Sequence, residues 1–191
     1  MPLTTIDPAS ALVVIDLQKG IVSARTDDPT TAIADAVKRS THLATEFRRR
    51  GLPVILVNVT GRAPGRTDTG RSVNSAAPPA GWADLIDELD VQPTDHLITK
   101  RRRSAFHDTG LDTLLRDLGV TQVVLSGVAT SSGVESTARS ASDHGYHVVL
   151  VTDAMGDPDP EAHRHSVERV FPKLGETATT AEVIDMVEAT R

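Results

Sequence analysis

The sequence predicts an α/β protein with a doubly wound, three-layer architecture: a six-stranded, mostly parallel sheet between two layers of helices. Short continuous apolar runs, such as Ala-Leu-Val-Val-Ile at residues 11–15, are typical of strands that are buried on both faces. These runs alternate with helix-compatible segments along the whole chain, and no internal repeat is present. That alternation is the pattern of a parallel sheet with right-handed crossovers. We therefore interpret residues 1–191 as a single domain, a size that one core commonly reaches.

The first part of the chain predicts two strands, one helix and one long connection. The first strand, residues 11–15, places Asp16 at its carboxyl end. A helix near residues 31–50 presents one apolar face and ends before Gly51. Residues 53–58 form the second strand. The connection over residues 60–81 is rich in Gly, Pro, Arg and Ser, so we predict a functional lid or a disordered segment there.

The middle of the chain predicts a strand followed by a capped helix. Residues 96–99 read as a short third strand, which places Lys100 at its carboxyl end. Residues 109–112, Thr-Gly-Leu-Asp, have the pattern of a capping box. The helix that follows is predicted to turn four leucines inward, at positions 111, 114, 115 and 118.

A strand-turn-helix unit follows over residues 121–139. Its apolar run at 123–125 is predicted to break at Ser126-Gly127, and the helix to begin near Val134. Gly127 and Gly133 bracket the predicted turn, and glycine permits both a positive φ and close backbone approach.

The last part of the chain predicts two strands and two helices. The fifth strand, residues 146–152, is expected to end at Asp153. A helix over residues 160–170 begins with a proline, which suits its first turn. Residues 177–178 form a short edge strand, and a second capping box at 179–182 opens the final helix.

The composition excludes several classes of site. The chain has no cysteine, which excludes disulfides, thiolate metal sites and thiol nucleophiles. The formal net charge of -6 argues against nonspecific nucleic-acid binding, which needs basic surface. No apolar run approaches the ~20 residues that span a bilayer, and the amino terminus lacks the pattern of a signal peptide. We predict a cytoplasmic protein with no nucleic-acid or membrane partner.

Two basic runs stand out in this acidic chain. Arg48-Arg49-Arg50 closes the first long helix, where cations interact favourably with the helix dipole, so a structural role is expected. The run from Lys100 to Arg103 has no such explanation.

Three polar features fall at the carboxyl ends of predicted strands: Asp16, Lys100 and the turn from Gly127 to Gly133. In open α/β sheets, ligands bind at this edge, where backbone N–H groups point into a crevice. A carboxylate and an ammonium group beside a helix N-terminus are suited to acid/base chemistry next to an anion site. From the residues alone, a turn-forming aspartate and a solvated lysine remain the alternatives.

These features lie in three motifs that together resemble the isochorismatase-like hydrolases over nearly the whole chain. The motifs are Val-Val-Ile-Asp-Leu-Gln at 13–18, Lys-x-x-x-Ser-Ala-Phe-x-x-Thr-x-Leu at 100–111, and Gly-Val-Ala-Thr-x-x-Gly-Val-x-x-Thr-Ala-Arg at 127–139. The resemblance implies a doubly wound α/β/α fold and an Asp, Lys, Cys triad. It assigns the acid/base role to Asp16, the electrostatic role to Lys100, and the thiol position to Gly133. It also implies a non-proline cis peptide between Val128 and Ala129.

We assign substrate contacts to six positions around this predicted site. For Trp82, packing of the loop's base against the body of the protein is the alternative. We predict no metal and no cofactor, because no Asp-x-His pattern follows the second strand, and His163 and His165 face different ways on a helix. The six positions are Gln18, Asn58, Trp82, Val128, Ala129 and Ser132.

Glycine at position 133 offers no nucleophile, so the covalent catalysis of the amidase branches is not expected. Some isochorismatases proper have glycine here, and the resemblance to them implies hydrolysis of a vinyl ether without a covalent intermediate. Asp16 would supply the proton if desolvation raised its pKa, although Lys100 lowers that pKa. Lys100 and one loop arginine would hold the carboxylates of a small substrate, the candidates being Arg62, Arg66 and Arg71.

Other interpretations remain open. The chain could be a degenerate family member that binds a small metabolite or a partner without turnover. Glycine at 133 could also be an engineered replacement of a cysteine. Ser131, Ser132 and Ser136 are not expected to act as nucleophiles, because the motif places no histidine to activate them. The resemblance further suggests a homodimer or larger homo-oligomer.

Overall fold

The computed structural model describes residues 3–23, 32–68 and 78–189. Its centre is a six-stranded sheet in which every pair of neighbouring strands is parallel, in the order β3-β2-β1-β4-β5-β6. This order confirms the predicted doubly wound fold and places the topological switch point between β1 and β4. The strands are β1 (Ser10–Ile15), β2 (Val54–Val59), β3 (His96–Lys100), β4 (Gln122–Val128), β5 (His147–Gly156) and β6 (Glu176–Ala178).

Helices cover both faces of the sheet. Successive residues of β1 alternate between two apolar clusters: Leu12 and Val14 pack with α2 and α6, whereas Val13 packs with α3 and α4. The helices are α1 (Lys19–Val22), α2 (Ala32–Arg49), α3 (Leu111–Asp117), α4 (Glu135–Asp143), α5 (Pro160–His165) and α6 (Thr180–Ala189). Within the described ranges, none of them is long and apolar enough to cross a bilayer.

β4 does not break at Ser126-Gly127, as the sequence analysis expected, but continues to Val128. Gly127 pairs with Ile15 of β1 and has a φ of +113°. A Cβ atom there would lie 2.2 Å from the carbonyl oxygen of Ile15. This glycine therefore allows two strands to approach closely, and it does not end one of them.

The fifth strand is also longer than predicted, because β5 runs past Asp153 to Gly156. Its register against β4 shifts: Leu125 pairs with Leu150, but Gly127 pairs with Met155. The intervening residues bulge, which is a recurrent feature near functional sites. Asp153 lies in this bulge, where its Oδ1 accepts hydrogen bonds from the Thr180 backbone N–H (2.7 Å) and hydroxyl (2.9 Å).

Of the two predicted capping boxes, only the second forms. The Thr179 N–H donates to the carboxylate of Glu182 (2.7 Å), and the Glu182 N–H donates back to the Thr179 hydroxyl. At α3, Thr109 instead caps the N–H of Leu111, and Asp112 accepts from the Tyr146 hydroxyl. The prediction that Leu118 points inward was also wrong, since it is 39% exposed at the helix end.

Candidate active site

Asp16 lies at the carboxyl end of β1, beside the switch point of the sheet. Its backbone has a φ of +53°, a left-handed conformation that aspartate tolerates better than most residues. The residue is only 5% exposed. Its Oδ2 accepts a hydrogen bond from Lys100, whereas Oδ1 is buried and has no hydrogen-bond partner among the described residues. One carboxylate oxygen is therefore left for a ligand.

Lys100 ends β3, and its side chain crosses the end of β2 to reach Asp16. The distance from Nζ to Asp16 Oδ2 is 2.7 Å, and Nζ also donates to the carbonyl oxygen of Arg102 (3.2 Å). Lys100 is only 2% exposed. A buried ion pair of this kind contributes little net stability, because the cost of desolvating both charges opposes their Coulomb attraction. Buried charged pairs are often found at functional sites, so the pair is a candidate for a functional role.

The environment of Asp16 favours its protonated form. Burial raises the pKa of its carboxyl group from the ordinary value of 3.8 to about 6, while the charge and the hydrogen bond of Lys100 oppose this rise. A carboxyl group with this pKa can both hold and release a proton near neutral pH, which is the requirement for an acid/base catalyst.

The turn after β4 faces this pair. The peptide bond between Val128 and Ala129 is cis, as the family resemblance implied. A wide helical turn, Thr130–Val134, then leads into α4. The sequence analysis expected Gly133 to bracket a turn. It is instead buried inside this helical turn, and its φ is not positive. A Cβ atom at Gly133 would lie 3.0 Å from Asp16 Oδ2, so the glycine backbone adjoins the carboxylate directly.

Gln18 and Asn58 use their amide groups within the protein. The Gln18 side chain donates to the carbonyl oxygens of Val59 (3.1 Å) and Trp82 (3.2 Å) and accepts from the Val59 N–H (2.7 Å). The Asn58 side chain donates to the carbonyl oxygen of Ala83 (2.8 Å). Both amides thus tie the segment around Trp82 to the edge of the sheet, and their contact with substrate stays a prediction.

Trp82 packs against the turn after β1. Its indole ring lies over Gly20, where a Cβ atom would be 2.0 Å from the ring, and its carbonyl oxygen accepts the Gly20 N–H (2.9 Å). This geometry fits the packing interpretation of Trp82. The remaining predicted contact residue with a polar side chain, Ser132, is half-buried in the turn next to Gly133.

The sequence analysis missed a set of contacts from the segment around α5 to the turn after β4. Asp157 accepts hydrogen bonds from the backbone N–H (2.8 Å) and the hydroxyl (2.7 Å) of Ser131. The Thr130 hydroxyl lies 2.8 Å from His163 Nδ1. Burial lowers the pKa of His163, while Asp157 opposes that shift. These partners are some thirty residues apart in sequence, so no local pattern could reveal them.

The structure describes two of the three loop arginines that were candidates for holding substrate carboxylates. Arg62 and Arg66 are exposed at the start of the long connection, and Arg71 lies outside the described residues, as do residues 69–77 as a whole.

Comparison with known proteins gives consistent matches over most of the chain. A sequence model described as the isochorismatase domain matches residues 10–182. An uncharacterised isochorismatase family protein of Bacillus subtilis (strain 168), YwoC, is 38% identical over 94% of each chain. The ureidoacrylate amidohydrolase RutB of Pantoea ananatis (strain LMG 20103) is 30% identical over 93% of this chain and 82% of its own.

Solved structures agree with these matches. An isochorismatase family protein from Burkholderia thailandensis superimposes with a TM-score of 0.85 at 38% identity, covering 96% of this chain and 98% of the other. The N-carbamoylsarcosine amidase from Thermoplasma acidophilum superimposes with a TM-score of 0.73 at 27% identity, covering 90% and 96%.

Proposed function

The chain belongs to the isochorismatase family of hydrolases, and on this premise we propose that it hydrolyses a small carboxylated substrate by acid/base catalysis at Asp16. The observation that carries the proposal is the pairing of a buried, readily protonated carboxyl group with a glycine at the position of the nucleophile. The proposal needs no metal and no cofactor.

An enol-pyruvyl (vinyl) ether of the isochorismate type fits this pair best. Asp16 Oδ1, which has no hydrogen-bond partner among the described residues, delivers its proton to the methylene carbon of the ether. Water adds to the resulting oxocarbenium carbon, and the hemiketal collapses to pyruvate and an alcohol. Lys100 stabilises the Asp16 carboxylate that the first step creates, and the proton that water loses restores the acid.

Amide hydrolysis is the second candidate, because two similar proteins are named as a ureidoacrylate amidohydrolase and an N-carbamoylsarcosine amidase. In this chain water would have to replace the missing nucleophile, with ionised Asp16 as its general base. The two candidates require opposite protonation states of Asp16. The rate of ether hydrolysis should fall as the pH rises through about 6, whereas the rate of amide hydrolysis should rise.

The first experiment follows pyruvate release from an enol-pyruvyl ether of a small carboxylated alcohol. Asp16→Asn should abolish turnover, while circular dichroism and thermal unfolding report a folded protein. Asp185→Asn, at an exposed position on α6, is the matched control and should retain activity. Activity retained by Asp16→Asn would refute the proposed mechanism.

A degenerate binding protein would give a different result. In that case calorimetry would detect binding of the intact ether to the wild-type protein, and neither pyruvate nor ammonia would appear with ether or amide substrates. Asp16→Asn would then change affinity alone.

A further inference from the structure

Gln18 is a completely buried side chain in the turn after β1, and its amide is engaged with main-chain groups. Its Nε2 donates to the carbonyl oxygens of Val59 (3.1 Å) and Trp82 (3.2 Å), and its Oε1 accepts the Val59 N–H (2.7 Å). A primary amide has two N–H donors, so both of them are used within the protein. In this arrangement neither donor is left for a substrate.

These bonds extend the sheet beyond the last pair of residues that β1 and β2 share. The two strands pair in parallel as far as Ile15 and Val57, and the Asp16 N–H still donates to the Val57 carbonyl oxygen (2.9 Å). Asp16 then turns the chain away with its φ of +53°, before β1 reaches Val59. Main-chain N–H and C=O groups that lose water need another partner. The Gln18 amide pairs with both of these groups of Val59, in place of a strand.

Val59 lies directly beside Lys100. The two residues are register partners of β2 and β3, and the Thr60 N–H donates to the Lys100 carbonyl oxygen (3.0 Å). The Lys100 side chain crosses this end of β2 to reach Asp16, with 2.7 Å between Nζ and Oδ2. A hydrogen bond of this length tolerates little displacement of either end. Movement of Val59 relative to β1 therefore alters the contact between the ammonium group and the carboxylate.

The same amide anchors the segment that contains Trp82. The Trp82 carbonyl oxygen, which accepts from Gln18, also accepts the Gly20 N–H (2.9 Å). Next to this contact, the Lys19 N–H donates to the Asp84 carbonyl oxygen (2.8 Å). Gln18 thus joins three segments: the turn after β1, the end of β2 and the segment around Trp82.

We propose that Gln18 is a positioning residue, which fixes the ends of β1 and β2 so that Lys100 Nζ meets the Asp16 carboxylate. This role differs from the substrate contact that the sequence predicts for Gln18, because the amide acts on the protein and not on the ligand. The positioning of the ion pair does not depend on the proposed function, whereas its effect on turnover rests on that function.

Gln122 provides a matched control at the opposite end of the sheet. It is the first residue of β4, it is 2% exposed, and its amide also bonds to the main chain. Its Nε2 donates to the Thr5 carbonyl oxygen (3.0 Å), and its Oε1 accepts the Asp7 N–H (2.9 Å). Loss of either glutamine amide removes partners from main-chain groups and should lower stability. Only the loss at Gln18 should reach the ion pair.

The test compares wild type, Gln18→Met and Gln122→Met by carbon-detected NMR titration of the Asp16 carboxyl group. Methionine keeps the length of the side chain and removes the amide hydrogen bonds. In Gln18→Met, the charge and hydrogen bond of Lys100 should act less on Asp16, so the pKa of Asp16 should rise above about 6. Gln122→Met should keep the wild-type pKa, while denaturant unfolding shows that both variants fold and lose stability.

Gln18→Asn is a second variant, for use also if Gln18→Met does not fold. It retains an amide but is one methylene shorter, so the amide no longer reaches both Val59 and Trp82. The pKa of Asp16 should shift in the same direction as in Gln18→Met.

Turnover of an enol-pyruvyl ether at a pH well below 6 gives the kinetic readout. Gln18→Met should lower kcat about tenfold to a hundredfold, because a misplaced Lys100 stabilises the newly formed carboxylate less. Its KM should stay within about twofold to threefold of wild type, since the lost interaction belongs to the transition state. Both constants of Gln122→Met should stay within the same range.

An Asp16 pKa in Gln18→Met that equals or lies below the wild-type value would overturn the inference, as would an equal rise in Gln122→Met. A raised KM with unchanged kcat and unchanged pKa would identify Gln18 as a substrate contact instead. A raised pKa in a protein that does not turn over the ether would support the positioning role and refute the proposed function. Wild-type kcat in Gln18→Met, with its Asp16 pKa unchanged, would do the reverse.

Discussion

Asp16 and Gly133 occupy adjoining space, so each residue restricts the other. A Cβ atom at position 133 would lie 3.0 Å from Asp16 Oδ2 and 3.0 Å from Ile15 Cγ2. The carboxylate thus borders the volume that a side chain at 133 would need. A side chain introduced there would require Asp16 or Ile15 to shift slightly.

We expect Gly133→Ala to destabilise the protein by about 1–3 kcal/mol, the usual cost of overpacking a filled site. The added methyl group must displace Asp16 or Ile15. Denaturant unfolding measures the effect. Gly65→Ala is the control, because a Cβ atom at Gly65 would have no neighbour within 4 Å. Equal stability of the two variants would show that the site relaxes freely.

Lys100 should set the pH at which Asp16 titrates. Its charge and hydrogen bond lower the pKa of Asp16 against the larger effect of burial, so Lys100→Met should raise that pKa above about 6. Carbon-detected NMR titration of the Asp16 carboxyl group measures this shift without any need for activity. In ether hydrolysis, the descending limb of the pH profile should move to higher pH. A lower pKa in the variant would contradict the electrostatic argument.

At the scale of elements, the contact between β1 and β4 depends on one glycine. Gly127 combines a φ of +113° with a backbone oxygen 2.2 Å from a hypothetical Cβ atom. Gly145 also has a positive φ, of +83°, but no atom lies within 4 Å of its hypothetical Cβ atom. Comparing Gly127 with Gly145 therefore separates the cost of backbone strain from the cost of steric overlap.

We expect Gly145→Ala to cost about 1–2 kcal/mol from strain alone, and Gly127→Ala to cost more than about 3 kcal/mol, since the strands must separate. Chemical unfolding of both variants gives the comparison. Costs within error of each other would mean that the sheet tolerates the overlap.

The segment around α5 should add a pH dependence to stability through His163. Burial lowers the pKa of this histidine in the folded state, so below about 6.5 the unfolded chain binds the proton more readily. The free energy of unfolding should therefore fall as the pH decreases through this window. His163→Gln should show a smaller difference in stability between pH 5 and pH 7.5 than the wild-type protein does. His42→Gln, at an exposed position on α2, is the control and should retain the wild-type difference.

Elements defined by local pattern could be predicted from the sequence, whereas those defined by distant contacts could not. The apolar run before Asp16 and the strand before Lys100 were both placed correctly. The extension of β4 through Gly127 depends on Ile15, more than one hundred residues away, so a glycine that appeared to break the strand in fact allows it to continue. The contact between Thr130 and His163 likewise joins residues that are far apart in sequence, so no local pattern predicts it.

At the scale of the whole molecule, the fold leaves one edge of the sheet with an exposed apolar side chain. β3 is an edge strand of the sheet, and Leu97 on it is 62% exposed. The proposed homodimer or larger oligomer would be expected to cover such positions. Light scattering coupled to size-exclusion chromatography should give at least twice the 20.3 kDa mass of one chain. A single species at monomer mass would contradict the proposal.

Trp82 is the only tryptophan of the chain, and it lies against Gly20, four residues beyond Asp16. Its carbonyl oxygen is hydrogen-bonded to Gln18, so the segment that carries it is joined to the turn that follows Asp16. Indole fluorescence from this protein therefore comes from one place, next to the proposed site. Ligand entry can be followed by the emission of the unlabelled protein, in equilibrium titrations and in stopped-flow experiments.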